Sequence, residues 1–380
     1  KYPYQQMDVN DIQILPKHTF GKVPFEKWQT HGKWEEQAGV SGGPFLLESM
    51  KPNQEVTLAR NPAYWKQGQP YLDGLIFRII PDQRTQLTSV LAGDVDCMQG
   101  VTPKDVDKIL DAKSLQLYSY MTRSYGYAGW NCKRWPFEDA RVRQAMSHAI
   151  DVEDIVESLF RGYAKMAGPQ IISSFWASNP DIEPVEFDPD RSEELLQEAG
   201  WAKGADGIYA KDGKRFQFTL ITNSENALRQ RICLMIQANL KEIGVASDIR
   251  PMEFNQMSTQ LKRHEFQAYV GGWYVATKVD LKPTWHSTSV DGRFNYVNFQ
   301  NARVDEIIDQ ARIMSDFEAA RPLWYELQEI IHDAQPYTML YEPRALVALH
   351  KRFQGVEMNA LRVYANLDEW WVPADQRRFK

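Results

Sequence analysis

Residues 216–250 read FQFTLITNSENALRQRICLMIQANLKEIGVASDIR. The first six, Phe216–Ile221, alternate in the manner of a strand. Leu228, Ile232, Met235, Ile236 and Leu240 then fall on one face of a helix. Gly244 stops that helix, and Val245–Arg250 is extended again. Strand, helix and strand in this order favour a parallel pair joined by a right-handed crossover. The fold class is therefore α/β, or α+β with mixed sheets.

Working outward, a helix over about Glu253 to Arg263 leads to a strand at Gln267–Trp273. Helices follow over about Ala302–Ile313 and Asp316–His332, and Pro322 marks a start or a kink in the second. Short strands are expected at Thr338–Tyr341 and Ala345–Leu349. Toward the N-terminus, Val142, Ala145, Met146, Ala149 and Ile150 form a helical stripe. Asp151 can cap a second helix carrying Val152, Ile155, Val156 and Leu159. Asp188-Pro189 reads as a cap followed by proline at the first helical position, with Gly200 as the terminating glycine. A hairpin joins Phe45–Glu48 to Val56–Ala59 across Lys51-Pro52-Asn53. Gly74–Ile80 is nearly all apolar, which predicts a strand buried on both faces. A helix over about Arg84–Leu91 and a strand at Val95–Met98 come next, and Pro103 opens a further helix. The first 40 residues are irregular, with Pro3, Pro16 and Pro24 spread through them.

The chain has 380 residues, enough for two or three domains. Its net charge of −6 and scattered basic residues argue against a nucleic-acid partner. The densest basic group is Arg377, Arg378 and Lys380. No run of about 18 apolar residues encodes a membrane span. Cys97, Cys132 and Cys233 lie too far apart for a disulfide framework and read as free buried thiols. Twelve Trp, 17 Tyr and 17 Phe supply large cores and leave some rings available as flat ligand platforms.

Catalytic signatures are scarce. No dinucleotide-binding glycine fingerprint, phosphate loop or HExxH occurs. His18, His31, His148, His264, His286, His332 and His350 are isolated in sequence, so no metal and no cofactor is expected. The acidic pairs Asp94/Asp96, Glu193/Glu194 and Asp305/Glu306 read as surface charge.

An ordered series of short motifs carries more. Gly42-Gly43-Pro44-Phe45 comes first, then Asn61-Pro62-Ala63-Tyr64-Trp65, Pro70-Tyr71-Leu72-Asp73 and Gly93-Asp94-Val95-Asp96. Tyr127-Ala128-Gly129-Trp130-Asn131 precedes the most specific piece, Pro136-Phe137-Glu138-Asp139-Ala140-Arg141-Val142-Arg143-Gln144-Ala145. Arg161-Gly162-Tyr163-Ala164, Phe187-Asp188-Pro189, Leu195–Trp201, Asn295-Tyr296 and Val304–Arg312 complete it. In this order the motifs resemble extracellular solute-binding protein family 5, the peptide/nickel-type binding subunits of ABC importers, over roughly residues 36–360.

The resemblance implies a two-lobed periplasmic-binding-protein-like fold of type II, peptide-binding class. Lobe 1 would be residues 1–130 plus 346–380, lobe 2 residues 131–345, with a hinge near Asn131 and Arg344. The Gly42 turn comes early, so part of lobe 1 is expected to be missing from this chain. A non-enzymatic, monomeric, periplasmic or extracellular protein is implied, which closes on a small solute and delivers it to permease subunits. A permease, or a lipid anchor on the segment ahead, would hold it at the membrane.

The matching ligand strand is Gly271-Gly272-Trp273-Tyr274. Its backbone would pair with an extended peptide, Gly272 allowing close approach and Trp273 stacking on the ligand. Core packing is the other reading of Trp273. In the peptide-binding relatives an Asp three residues after the Trp pairs with the ligand amine, but Ala276 stands there. Asp280 is the nearest substitute, and Trp285, Trp130, Tyr127 and Asn223 complete the candidate set. Without the anchor, a buried free amine costs on the order of a few kcal/mol, which disfavours a free di- or oligopeptide. Peptide-like, oligosaccharide and metal-chelate solutes remain open, as do a glycosidase-like enzyme with cleft carboxylates and a ligand sensor without transport.

Overall fold

The computed structural model describes residues 3–4, 17, 21–30 and 41–378. Most of the irregular first 40 residues, with His18, His31 and Lys380, lie outside that range. The chain packs into two compact units, one of Lys1–Asp8 and Arg123–Pro343, the other of Val9–Thr122 and Arg344–Lys380.

The second unit begins with the expected hairpin. β1 (Phe45–Lys51) and β2 (Glu55–Arg60) pair antiparallel. Asn53 takes the left-handed conformation (φ 59) that closes the turn. β3 (Gly74–Arg78) pairs with β2 and completes a three-stranded sheet. The expected two-sided burial of this segment is corrected: Ile76 is 62% and Ile79 48% exposed. The strand lies at the sheet's edge, and among the described residues only β2 pairs with it. α1 (Gln83–Ala92) starts where the Asp82 carboxylate accepts from Thr85 N–H, and ends at left-handed Gly93. β4 (Cys97–Gln99), α2 (Val106–Asp111) and β5 (Leu115–Met121) follow. β4 and β5 pair with the last part of a long strand from Tyr337 to His350. Asp96, expected as plain surface charge, pairs with the buried Arg352 at 2.5 Å.

The first unit is built on a sheet whose middle strand is β6 (Ser124–Trp130). α3 (Ala140–His148) and α4 (Val152–Phe160) are capped by Asp139 and Asp151, as the sequence predicts for the latter. β7 is Ala164–Met166, and α5 (Pro189–Glu198) runs from its Asp188 cap toward Gly200 (φ 83). A small antiparallel sheet of β8 (Ala202–Lys203), β9 (Tyr209–Lys211) and β10 (Lys214–Arg215) precedes the quoted stretch. That stretch forms β11 (Gln217–Asn223), α6 (Ala227–Glu242) and β12 (Ala246–Met252), and β11 and β12 are parallel throughout. Ile232, Cys233, Ile236 and Leu240 are the buried face of α6. α7 (Phe254–Lys262), β13 (Ala268–Tyr274), α8 (Lys282–Trp285), α9 (Ala302–Ala311) and α10 (Phe317–Ala334) follow. α10 starts at its Asp316 cap and carries Pro322 inside without ending.

The two C-terminal strands expected separately are one, β14 (Tyr337–His350), with a bulge between Met339 and Tyr341. The bulge lets Pro343 sit beside the short β7, where its missing N–H costs little. Side chains alternate across this sheet. Trp130, Phe218, Leu220, Ala268 and Val270 join a core with α3–α6. Tyr125, Tyr127, Ile221, Tyr269 and Tyr337 join a second core with α7, α9 and α10. Helices on both faces of a largely buried sheet define the α/β arrangement the sequence predicts.

Candidate functional site

β13 lies between β11, parallel to it, and β6, antiparallel to it. It pairs with β11 only at Leu220–Ala268 and Ile221–Tyr269. One further tie, Thr222 Oγ1 donating to the Val270 carbonyl at 3.3 Å, ends the contact. On its other side β13 stays paired with β6 as far as Tyr274. Asn131 N–H donates to Gln267 O at 2.9 Å and Val275 N–H to Arg123 O at 2.6 Å. Antiparallel bonding alternates, so the odd-numbered residues of β13 face β6 and the even-numbered ones face away. The N–H and C=O of Gly272 therefore point to the edge from which β11 has withdrawn. Ligands favour such places, outside the carboxyl ends of parallel strands where neighbours diverge.

The two faces at this edge differ. On one, the half-buried Trp273 stacks on Tyr296 (5.8 Å, 24°) and Tyr127 (6.4 Å, 20°), and contacts Phe294 (5.5 Å). Its indole N–H donates to Tyr337 Oη at 3.3 Å. Behind it Tyr127 stacks on Tyr337 at 3.8 Å, and the Tyr127 and Tyr269 hydroxyls bond at 2.7 Å. Burial holds the phenols of Tyr127 and Tyr269 well above their ordinary pKa, so this network is neutral. It fixes the indole plane without adding charge.

On the other face lies the first turn of α6. A Cβ on Gly272 would come within 2.8 Å of Tyr125 O and 3.1 Å of Arg229 Nη2, so only glycine fits there. Arg229 Nη1 donates to Asn223 Oδ1 at 3.0 Å.

The sequence candidates thus divide. Gly272, Trp273, Tyr274 and Asn223 gather around the C-terminal ends of β11 and β13, with Tyr274 64% exposed and Asn223 buried. Tyr127 is buried and stacks on Trp273. Trp130 and Trp285 are corrected to core residues, each 0% exposed. Trp130 packs on Phe137 and Phe218 and donates to Thr338 Oγ1, while Trp285 packs on Tyr337 and Phe299. Neither presents a surface to a solute. Asp280 accepts from Lys282 N–H in its own turn before α8. Sequence reasoning passed over Arg229, Tyr296 and Tyr337. Only Arg229 had a legible signal, a basic residue in the first turn of a helix where acidic ones are favoured.

Other places offer less. Ser41 lies in the string Gly39-Val40-Ser41-Gly42-Gly43, the G-x-S-x-G form of a nucleophile elbow. It leads into β1, and its Oγ accepts from Gly43 N–H at 2.9 Å, so it lacks the strand-to-helix turn such a nucleophile needs. A cavity of about 510 Å³ is lined by His148, Asp181, Glu183, Glu186, Arg191 and His332, among others. His148 Nδ1 bonds the Glu186 carbonyl, and burial holds the His332 pKa below its ordinary value. Among the described residues no three His, Cys, Asp or Glu could hold a metal ion, and no helix is long and apolar enough to cross a membrane.

The α/β sheet thus carries an open strand end flanked by a fixed tryptophan and a close-approach glycine. Comparison with known proteins gives the family. The model of bacterial extracellular solute-binding proteins, family 5, matches residues 2–295, and the chain belongs to that family. It is 31% identical to the oligopeptide-binding protein AppA of Bacillus subtilis over 369 residues, 96% of this chain and 67% of AppA. It is 26% identical to heme-binding protein A of Haemophilus influenzae, covering 83% of this chain and 57% of that protein. The solved structure of AppA in complex with a nonapeptide superposes with a TM-score of 0.83, covering 98% of this chain and 75% of AppA. NikZ from Campylobacter jejuni in complex with Ni(L-His) shares the fold at 21% identity and a TM-score of 0.83, covering 97% and 74% of the two chains. The chain spans less than two thirds of heme-binding protein A and of the Escherichia coli dipeptide-binding protein.

Proposed function

We propose that this chain is the solute-capturing part of an extracytoplasmic binding protein for an ABC importer, and that its solute is an extended, peptide-like molecule. The single observation that carries the reading is the position of Gly272, whose N–H and C=O face an unpaired strand edge beside a fixed Trp273. Such an edge takes a ligand by strand addition, with main-chain bonds giving affinity and side-chain contacts giving selectivity. The binding of a nonapeptide by AppA supports the assignment. The proposal includes delivery of the unchanged solute to a permease, a role that membership of the family supports.

Ala276 sets one property of this site. It is exposed and carries no charge to neutralise a peptide amine. Calorimetric titration with alanine-based heptapeptides tests both points. N-acetylated peptides are expected to bind at least as tightly as their free-amine forms, and Trp273→Ala to weaken both by about tenfold or more. Peptides recovered after incubation are expected to be intact. Preference for the free amine, or no effect of Trp273→Ala, contradicts the assignment. Tight binding of oligosaccharides alone would replace it by a sugar site built on the Trp273 face.

A further inference from the structure

Strand addition at β13 places successive ligand side chains on opposite faces of the sheet. Residues directly opposite one another in paired strands point to the same face. The ligand position across from Gly272 therefore projects to the side where a Gly272 Cβ would lie, and there it meets Arg229. The positions on either side of it project toward Trp273, Tyr296 and Phe294.

Arg229 is a cation without a matching anion. Among the described residues no carboxylate lies within ion-pair distance of it. Its Nε is buried and makes no hydrogen bond. Its side-chain acceptors are uncharged, the amide of Asn223 and the hydroxyl of Tyr341. Tyr341 lies against it as a phenol whose pKa is raised by burial, an effect that Arg229 opposes. Glu225, the nearest acidic residue in sequence, is turned toward Asn223 Nδ2 (3.4 Å) and the N–H of Phe254 (3.3 Å). The first turn of α6 holds no acidic residue, so the positive end of its helix dipole adds to the guanidinium rather than offsetting it.

We propose that the site selects a solute bearing a carboxylate at the position opposite Gly272, held by Arg229, with apolar or aromatic groups at the flanking positions. This rests on the reading that an extended solute pairs with β13. The carboxylate comes from an acidic side chain within the ligand or from the end of a short one. Both have the same chemistry, and a guanidinium whose Nη2 lies beside Gly272 suits a charge-assisted contact with either.

Calorimetry with two peptide series tests this. In the first, an N-acetylated, C-amidated alanine heptapeptide carries one Glu, moved along the chain, beside its Gln counterpart. One Glu position is expected to bind about 10- to 100-fold more tightly than Gln at that position. In the second, all-alanine peptides of three to seven residues are compared as free acid and as amide. The readout is the Glu/Gln or acid/amide affinity ratio, expected to fall to about one in Arg229→Gln and to recover in part in Arg229→Lys. A ratio above one in the second series alone assigns the carboxylate to the ligand terminus. A ratio that survives Arg229→Gln, or ratios near one throughout in the unaltered protein, overturns the proposal and leaves the strand-addition reading standing. Failure of every peptide to bind overturns both.

Discussion

At the scale of residues, surroundings decide what each group contributes. His332 shows this through its proton. Burial lowers its pKa below the ordinary value of 6.5, nearby His148 adds to the lowering, and Asp333 opposes it. The unfolded chain therefore takes up this proton first as pH falls. The stability linked to His332 is present above about pH 6.5 and is lost as pH drops toward the folded-state pKa. Thermal unfolding midpoints measured from about pH 7.5 to 5 should fall less steeply in His332→Gln. His350 in the other unit is lowered by burial too, so a residual slope remains. Trp130 and Trp285 show the limit of residue type as a guide. A tryptophan in an apolar run reads equally as platform or core, and only the rings packed on it decide. Trp273 was singled out by the resemblance of Gly271–Tyr274 to the ligand strand of peptide-binding relatives, whereas its supports, Tyr296 and Tyr337, come from distant parts of the chain.

At the scale of elements, local chemistry was the most legible part. Cap residues at Asp151 and Asp188, the stop at Gly244 and the stripe on α6 are all present as read. These signals act within one or two turns and need no tertiary information. The failures involve neighbours. β3 has the composition of a buried strand and lies exposed at an edge, because composition does not say how many strands flank it. β14 was read as two strands, one on each side of Pro343, yet a bulge and a short partner accommodate the ring. α6 ties the candidate site to the core, since its first turn supplies Arg229 and its interior the packing. Ile236 is fully buried there, and Ile236→Ala is expected to cost about 2–5 kcal/mol. Chemical denaturation would show this as a lower midpoint with little change in slope.

At the scale of the molecule, three thiols sample both units. Burial pushes Cys97 up to about 11 in one unit and Cys233 up to about 12 in the other, and also raises Cys132. Thiolate is the reactive form, so the folded chain should react slowly with a thiol reagent at about pH 8 and quickly once denatured. Separate slow phases for Cys97 and for the Cys132/Cys233 pair would mean the units open independently, and one common phase that they open together. Cys233 is buried and Cys97 and Cys132 are half-buried, and fast reaction of all three in the native protein would contradict their raised pKa values. The aromatic network behind Trp273 has a consequence of another kind. Tyr127 and Tyr337 lie 3.8 Å apart in a fixed asymmetric setting, with the indole stacked nearby and hydrogen-bonded to one of them. Electronic transitions held this close and this rigidly couple, and coupled rings rotate near-ultraviolet light. A solute settling on the indole, as proposed, would disturb that optical signature and make it a label-free gauge of occupancy.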